Sequence, residues 1–325
     1  MLFYLRAILD LFLPRECLAC GCRLGLRERH LCLACAADVP YTYHWLSTHN
    51  PLADRFNSVL ERHRPADERM DYAYAAALMH YKGPYRAIPR ALKYHGDLAA
   101  GRFYGGLLGR RLASFPHFAD VDLIIPVPLH WTRRRTRGYN QAEILARAIA
   151  CEMQAVCRSD VLVRARRTRT QTKLTVEQKA RNVASAFQVS FAPSYRDASS
   201  QLRHGQTPHP LLDAIRHPLL DAIRHSRLDA IRHSRLDRES PQEALARARH
   251  ILLVDDTFTT GATLYACYAA LRPYTSARIS IATLAAVEGA PGQVEAFPVA
   301  LPDDAATLGS NVSSNEVPGS EQSGP

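Results

Sequence analysis

The sequence predicts an α/β domain with a parallel sheet flanked by helices, preceded by a small cysteine-rich module. Three short apolar runs, Val121–Ile125, Ile251–Val254 and Ile279–Leu284, are typical of strands buried on both faces. Helical patterns follow at least two of them. This alternation favours a parallel sheet whose functional edge lies at the carboxyl ends of its strands. Two C-x-x-C pairs between Cys17 and Cys35 set the amino-terminal part apart.

The composition is that of a globular protein with a basic charge balance. The chain has 325 residues, of which 47% are hydrophobic and 22% charged, and its formal net charge is +10. These values exclude a wholly disordered chain, a collagen-like chain and a disulfide-rich miniature protein. The positive charge favours partners such as phosphate esters, nucleic acid or an anionic membrane surface.

The first apolar segment, Leu2–Leu13, is interrupted by Arg6 and Asp10. It is shorter than the roughly 20 apolar residues that a membrane span needs, and no cleavage site of a signal peptide follows it. We expect a short amphipathic helix that packs on the protein itself, with weak contact to a membrane surface as the alternative. No transmembrane segment is predicted, and we expect a cytoplasmic protein.

The cysteine pairs predict a zinc-ribbon-like module over residues 1–60. In a cytoplasmic protein, closely spaced cysteines more often bind metal than form disulfides, and two C-x-x-C loops complete a tetrahedral site for structural Zn²⁺. The predicted ligands are Cys17, Cys20, Cys32 and Cys35. Cys22 and His30 lie in or beside the intervening loop, so the ligand set stays open to either.

The central domain is predicted over residues 70–290. After the first strand, Asn140 and Glu143 have the spacing of a capping box and open a helix. The apolar face of that helix consists of Ile144, Leu145, Ala148, Ile149 and Met153. Between strand and helix, the arginines of 133–137 are flanked by Trp131 and Tyr139. We expect Trp131 to pack in the core.

An octapeptide repeat interrupts this domain at about 200–242. The sequence HPLLDAIR at His209–Arg216 recurs at His217–Arg224 with a period of 8, which fits neither a straight helix face nor a coiled coil. Its histidines recur with the repeat rather than with a ligand geometry, so a surface-loop insertion is favoured over a metal site. The polar tail, residues 300–325, is predicted to be disordered.

The most specific signal follows the Ile251–Val254 run. Asp255 and Asp256 come directly after it, and a turn rich in hydroxyl groups, Thr259–Thr263, then leads into an apolar helix. Backbone N–H groups at a helix start form a phosphate cradle. Carboxylates beside such a cradle would repel a phosphate unless they bind sugar hydroxyls or a divalent cation. These residues therefore predict a site for a phosphorylated sugar, and no Walker lysine follows the glycine.

The segment Val254–Thr263 is similar to the phosphoribosyl-pyrophosphate (PRPP) motif of type I phosphoribosyltransferases. The wider pattern resembles the ComF family of competence-associated proteins. Besides the cysteine pairs, the resembling pieces are Ala91–Asp97, Pro126–His130, Arg135–Gln141, Arg167–Gln171, Arg181–Asn182 and Ala186–Phe187. The resemblance covers about residues 1–190 and 247–287, and the octapeptide insertion departs from it.

The resemblance implies a type I phosphoribosyltransferase fold and a role for each motif. Asp255 and Asp256 would hold the ribose hydroxyls with the help of Mg²⁺. The 5-phosphate would lie on Thr259, Thr260, Gly261, Ala262 and Thr263. The pyrophosphate would lie on Pro126, Val127 and Pro128, neutralised by Arg135 and Arg137. A basic run that begins at Arg164 would belong to a loop that closes over PRPP.

The expected function is a Mg²⁺-dependent phosphoribosyltransferase that releases pyrophosphate, has an unidentified acceptor and is linked to DNA uptake. Thr259 stands where purine-salvage members carry a carboxylate, which argues against a hypoxanthine–guanine type of substrate. The alternative is a non-catalytic PRPP-binding module that binds single-stranded DNA or a helicase partner, because arginines interleaved with aromatic residues suit single strands.

Overall fold

The computed structural model describes residues 10, 12, 14–63, 71–164, 186–190 and 240–288. Most of the predicted amino-terminal helix, most of the octapeptide insertion and the whole polar tail lie outside the described residues. The Arg167–Gln171 and Arg181–Asn182 motifs lie outside them as well.

Helices and strands alternate along the described chain. The helices are α1 (Leu33–Ala37), α2 (Pro51–Arg62), α3 (Ala87–Tyr94), α4 (Leu98–Ala113), α5 (Pro116–Ala119), α6 (Trp131–Arg137), α7 (Gln141–Met153), α8 (Pro241–Arg247) and α9 (Ala262–Leu271). The strands are β1 (Ala75–His80), β2 (Leu123–Pro126), β3 (Val156–Cys157), β4 (Leu162–Arg164), β5 (Phe187–Val189), β6 (His250–Phe258) and β7 (Arg278–Ala286). Short 3-10 turns lie at His44–Leu46, Gly83–Arg86 and Arg272–Tyr274.

Five strands form one sheet in the order β1-β7-β6-β2-β3, and their pairings are parallel. β4 and β5 pair separately as an antiparallel ribbon. The predicted fold class, a parallel sheet flanked by helices, is therefore confirmed. Each of the three predicted strands is present, although β6 runs on to Phe258 instead of ending before the aspartates.

Both faces of the sheet are buried. Along β6, Ile251 and Leu253 face a core that also contains residues of α2, α9 and the β4–β5 ribbon. Leu252 and Val254 face a second core with residues of α3, α4 and α7. This alternation is the two-residue period of a strand, and it explains why β6 appears in the sequence as an uninterrupted apolar run.

Helix α7 has the predicted extent, and it lies unusually close to α4. Asn140 caps it by accepting a hydrogen bond from the Ala142 N–H at 3.2 Å, whereas Glu143 pairs with Arg147 at 2.9 Å. On α4, a Cβ added at Gly109 would lie 2.9 Å from the Ile149 Cα. One added at Gly105 would lie 3.0 Å from the Ala148 Cβ. The two glycines therefore allow the helix backbones to approach.

The cysteine-rich module packs on the second core. Cys17, Leu24 and Leu31 are buried in the same cluster as residues of α3 and α4. The Tyr85 hydroxyl also donates a hydrogen bond to the Cys35 carbonyl at 3.0 Å. Within the described residues, no helix combines the length and the apolar character needed to cross a bilayer.

Candidate functional site

The sheet has a topological switch point between β2 and β6. From β2 the chain proceeds to β3 at one edge of the sheet, whereas from β6 it proceeds to β7 on the opposite side. In open α/β sheets, ligands bind in the crevice outside the carboxyl ends of the strands at such a point. The register of β2 and β6 ends at Pro126 and Val254, and the Val127 N–H donates to the Val254 carbonyl at 2.8 Å. Two predicted motifs thus meet at this crevice.

Asp255 and Asp256 are the first residues of β6 beyond its pairing with β2. On its other side, β6 stays paired with β7 as far as Phe258 and Ala286. We expected both carboxylates at the end of the strand; instead they lie inside it and point to opposite faces, because adjacent side chains of a strand alternate. The continued pairing with β7 is the physical reason for this correction.

Asp256 faces α3. Its Oδ1 is 2.9 Å from the Lys93 Nζ, and the side chains of lysine and aspartate are 26% and 12% exposed. Lys93 also donates a hydrogen bond to the Thr257 Oγ1 at 3.4 Å. Lys93 lies in the Ala91–Asp97 segment of the family resemblance, but no pattern in the sequence predicts a role for it.

Asp255 faces α9 and the β4–β5 ribbon. Burial raises the pKa of its carboxyl to about 7, and the neighbouring charge of Asp256 adds to the rise. Its Oδ1 accepts a hydrogen bond from the Asp256 N–H at 2.8 Å. Burial also raises the pKa of the Cys267 thiol, and the negative charge of Asp255 contributes. A carboxyl with this pKa can accept or donate a hydrogen bond near neutral pH.

Arg164 is the second cation near the two aspartates, and it lies on the face of β6 to which Asp255 points. It ends β4, and its guanidinium carbon lies 5.1 Å from the centre of the Phe187 ring. Burial lowers the pKa of Arg164, as does the charge of Arg133, while Cys267 and Asp255 oppose the effect. The sequence analysis placed Arg164 in a loop that closes over the ligand, but the structure places it in a strand. The rest of that basic run lies outside the described residues.

A residue of α2 holds the predicted phosphate-binding turn, residues 259–263, in place. Thr259 and Thr260 are exposed, and Gly261 has a φ of +84° immediately before α9. The Arg55 guanidinium donates to the Thr259 carbonyl and to the Val287 carbonyl, both at 2.7 Å. Because Gly261 has no side chain to cap α9, the N–H groups of the first turn, including those of Ala262 and Thr263, remain available to an anion.

The predicted pyrophosphate turn lies on the other wall of the crevice. Pro126 ends β2, Val127 is buried and Pro128 is half-buried. The Asn140 Nδ2 donates to the Val127 carbonyl at 3.0 Å, so the residue that caps α7 also holds this turn.

Arg135 and Arg137 belong to α6, the helix after this turn. The Arg135 guanidinium carbon lies 5.8 Å from the Trp131 ring centre, and that of Arg137 lies 5.4 Å from the Tyr94 ring centre. Trp131 is 59% exposed and Tyr94 is 70% exposed. The expectation that Trp131 packs in the core is therefore wrong, because α6 has no buried residues.

The cysteine cluster has the geometry of a zinc site. The Sγ atoms of Cys17, Cys20, Cys22 and Cys32 all lie within 4.8 Å of one another. The Cys20 and Cys32 sulfurs are 3.8 Å apart. A tetrahedral zinc with bonds of about 2.3 Å has sulfur–sulfur edges of about 3.8 Å, so these residues can hold the ion.

Cys22 and Cys35 both interact with other thiols of this cluster, but with different sets of them. The thiol of Cys22 interacts with Cys20 and Cys32, whereas that of Cys35 interacts with Cys32, Cys20 and Cys17. The centre of the His30 ring lies 5.2 Å from the centre of the Phe103 ring, and the His30 Nδ1 lies 3.8 Å from the Asp97 Oδ2. Of the two alternatives that the sequence left open, the geometry brings Cys22 into the thiol group.

Two curated proteins align with this chain, while no protein-family model matches it. Competence protein F of Haemophilus influenzae is 25% identical over 187 residues, which are 56% of this chain and 79% of that protein. DNA utilization protein YhgH of Salmonella typhi is 34% identical over 86 residues, which are 26% of this chain and 36% of that protein.

Among solved structures, the crystal structure of TT1426 from Thermus thermophilus shares 14% identity. The alignment covers 58% of this chain and 83% of the TT1426 chain. Its TM-score is 0.28, which is too low to support a structural argument. The alignment with competence protein F confirms the resemblance to the ComF family that the motifs indicate.

Proposed function

We propose that this chain binds PRPP and acts as a Mg²⁺-dependent phosphoribosyltransferase in DNA uptake. The observation that carries the proposal is the convergence at one switch point: β6 carries two adjacent carboxylates and leads into a hydroxyl-rich turn, and a second turn follows β2. The names of the two relatives support the link to competence and DNA use.

The proposed reaction breaks the C1–oxygen bond of PRPP, and pyrophosphate leaves with the bonding electrons. The acceptor forms a new bond to C1 and loses a proton. Asp255 and Asp256 hold the ribose hydroxyls while C1 acquires positive charge, and residues 259–263 hold the 5-phosphate. The turn 126–128, with Arg135 and Arg137, receives the pyrophosphate. Groups fixed in advance around the developing charges lower such a barrier.

The two aspartates are compatible with Mg²⁺. Among the described residues, no third His, Cys, Asp or Glu completes a metal-binding group with them. Magnesium is commonly held by one or two carboxylates together with substrate oxygens and water, so a single aspartate of the motif is sufficient. When bound with PRPP, the ion would neutralise charge on the pyrophosphate.

Calorimetry with PRPP and Mg²⁺ tests the binding, and an assay of pyrophosphate release with nucleobases and simple amines tests the transfer. We expect the Asp255→Ala/Asp256→Ala double variant to lose PRPP binding, whereas Asp71→Ala, which alters an exposed carboxylate, keeps it. Equal binding by the wild type and the double variant would show that the site is assigned to the wrong residues.

A second candidate function rests on the exposed surface formed by Tyr94, Trp131, Arg135 and Arg137. Two exposed rings, each with a guanidinium stacked over it, are suited to single-stranded DNA through base stacking and phosphate pairing. In this proposal the protein binds PRPP without turnover and binds single-stranded DNA or a helicase. Filter binding of an oligothymidylate would then show steep salt dependence. An unchanged salt slope in Arg135→Ala would contradict it.

A further inference from the structure

We propose that Lys93 is a positioning residue for the ribose end of the PRPP site, acting through Asp256. This inference rests on the proposed function and adds to it a residue from a third structural element. The site would then consist of β6 with its turn, the turn after β2, and the carboxyl-terminal end of α3.

The contacts of Lys93 are directed at the motif itself. Its Nζ is 2.9 Å from the Asp256 Oδ1 and 3.4 Å from the Thr257 Oγ1. Both side chains of the ion pair are largely shielded from water, and shielding strengthens a hydrogen-bonded ion pair relative to an exposed one. The lysine therefore fixes one carboxylate oxygen and leaves the other oxygen of Asp256 to a ligand.

The end of α3 is itself held against the wall of the crevice. The Tyr139 hydroxyl donates a hydrogen bond to the Leu92 carbonyl, and the Arg137 guanidinium stacks on Tyr94. Lys93 lies between these two attachments. Its ammonium is thus presented by a backbone that contacts the loop before α7, rather than by a free helix end.

The charges at the site explain why a lysine is needed there. Asp255 and Asp256 are adjacent, and a ligand with several phosphates adds further negative charge to the crevice. Arg164 lies on the Asp255 face of β6, and Lys93 lies on the Asp256 face. Asp256 therefore has a resident cation in direct contact, and the charges of both Lys93 and Arg164 act on Asp255. A lysine at Asp256 lowers the repulsion that an incoming polyanion would meet.

The test compares PRPP with ribose 5-phosphate, which lacks the pyrophosphate. Both are titrated with Mg²⁺ by calorimetry, with ribose 5-phosphate also measured by competition. We expect Lys93→Met to weaken both ligands by the same factor, about tenfold or more, because a hydrogen bond to a charged group contributes about 1.5–3 kcal/mol. Lys93→Arg, which retains the cation, should recover part of the loss. Lys82→Met, which removes an exposed lysine paired with Glu288 at 3.4 Å, should leave both affinities unchanged.

A double-mutant cycle separates positioning from a general structural effect. If Lys93 acts through Asp256, adding Lys93→Met to Asp256→Asn changes PRPP affinity by less than about twofold. Should the methionine variant fail to fold, Lys93→Gln replaces it in every comparison.

Three results would overturn the inference. Wild-type affinities in Lys93→Met would show that the lysine is not needed. Loss of PRPP affinity alone, with ribose 5-phosphate unaffected, would place the lysine on the pyrophosphate. A full additional loss in the Asp256→Asn background would show that it acts independently of Asp256. If the wild type takes up neither ligand, the proposed function fails as well, and this result differs from the other three.

Discussion

Among the residues of the candidate site, Asp255 has a pKa that folding shifts directly. Burial raises the pKa of its carboxyl to about 7, above its usual value of 3.8. A group with a raised folded-state pKa destabilises the fold as pH rises from about 4 to about 7, because the unfolded chain ionises it more readily. We therefore expect Asp255→Asn to raise the thermal midpoint relative to the wild type at pH 8, and to have a smaller effect at pH 4.

The matched control is Asp71→Asn, which changes an exposed carboxylate and should shift the midpoint equally at both pH values. An Asp255→Asn variant that is less stable than the wild type at pH 8 would contradict the assignment. The sequence indicated that Asp255 and Asp256 are functional. It did not indicate that their side chains point to opposite faces of β6, since that depends on how far β6 remains paired with β7.

Five thiols are candidates for the four ligand positions of the proposed zinc site. Cys17, Cys20 and Cys32 belong both to the predicted ligand set and to the observed group, whereas Cys35 belongs to the first and Cys22 to the second. We expect the single variants Cys22→Ser and Cys35→Ser to keep one zinc per chain, because the remaining thiol fills the fourth position. The double variant should lose the metal.

Metal analysis of freshly purified, reduced protein checks this expectation, and Cys151→Ser serves as a control outside the cluster. Loss of zinc in only one of the single variants would identify the fourth ligand. It would contradict the expectation that Cys22 and Cys35 can replace each other. The C-x-x-C spacing was enough to predict the site. It could not rank Cys22 against Cys35, because the loop between the pairs decides which sulfur turns inward.

Helices α4 and α7 make a contact that depends on glycine. At Gly109 an added Cβ would lie 2.9 Å from the Ile149 Cα and 3.0 Å from the Ile149 carbonyl oxygen. Backbone atoms cannot yield as a flexible side chain can. Gly109→Ala is therefore expected to lower the free energy of unfolding by about 1–3 kcal/mol, as overpacking does. Denaturant unfolding measures the change.

Gly106→Ala on the same helix is the matched control. Its Cβ would meet only side-chain atoms, the Glu152 Oε1 at 3.4 Å and the Arg110 Nη1 at 3.6 Å being the nearest. Alanine has a higher helix propensity than glycine by up to about 1 kcal/mol, so this variant should be neutral or stabilising. Equal destabilisation by both substitutions would show that the close approach is not the cause. The sequence predicted α7 from its cap and apolar face, but this contact needs both helices in place.

At the scale of the whole molecule, local patterns predicted the elements better than their arrangement. The apolar runs gave β2, β6 and β7, and the motifs gave the two turns of the candidate site. The position of β6 between β2 and β7 is not encoded in any local pattern, yet this position creates the crevice. Lys93 was given no role for the same reason, since it reaches Asp256 from an element far away in the sequence.

Buried and half-buried histidines are expected to give the stability of the fold an acid-sensitive contribution. Burial lowers the pKa of His44 to about 4, and it also lowers the pKa values of His63, His117 and His250. The unfolded chain binds protons on these groups at higher pH than the folded chain does. Stability is therefore lost as pH falls from about 6.5 towards 4, the opposite sign to the contribution of Asp255.

We expect protonation of His44 to lower the free energy of unfolding, measured with denaturant, by on the order of 2 kcal/mol between pH 7 and pH 4.5. His44→Phe removes that titration while keeping a buried ring, so its loss over the same interval should be smaller. His49→Gln, at a side chain that is 72% exposed, should follow the wild type. A His44→Phe variant with the full wild-type loss would assign the acid sensitivity to other groups, because the phenylalanine ring cannot take up a proton in either state.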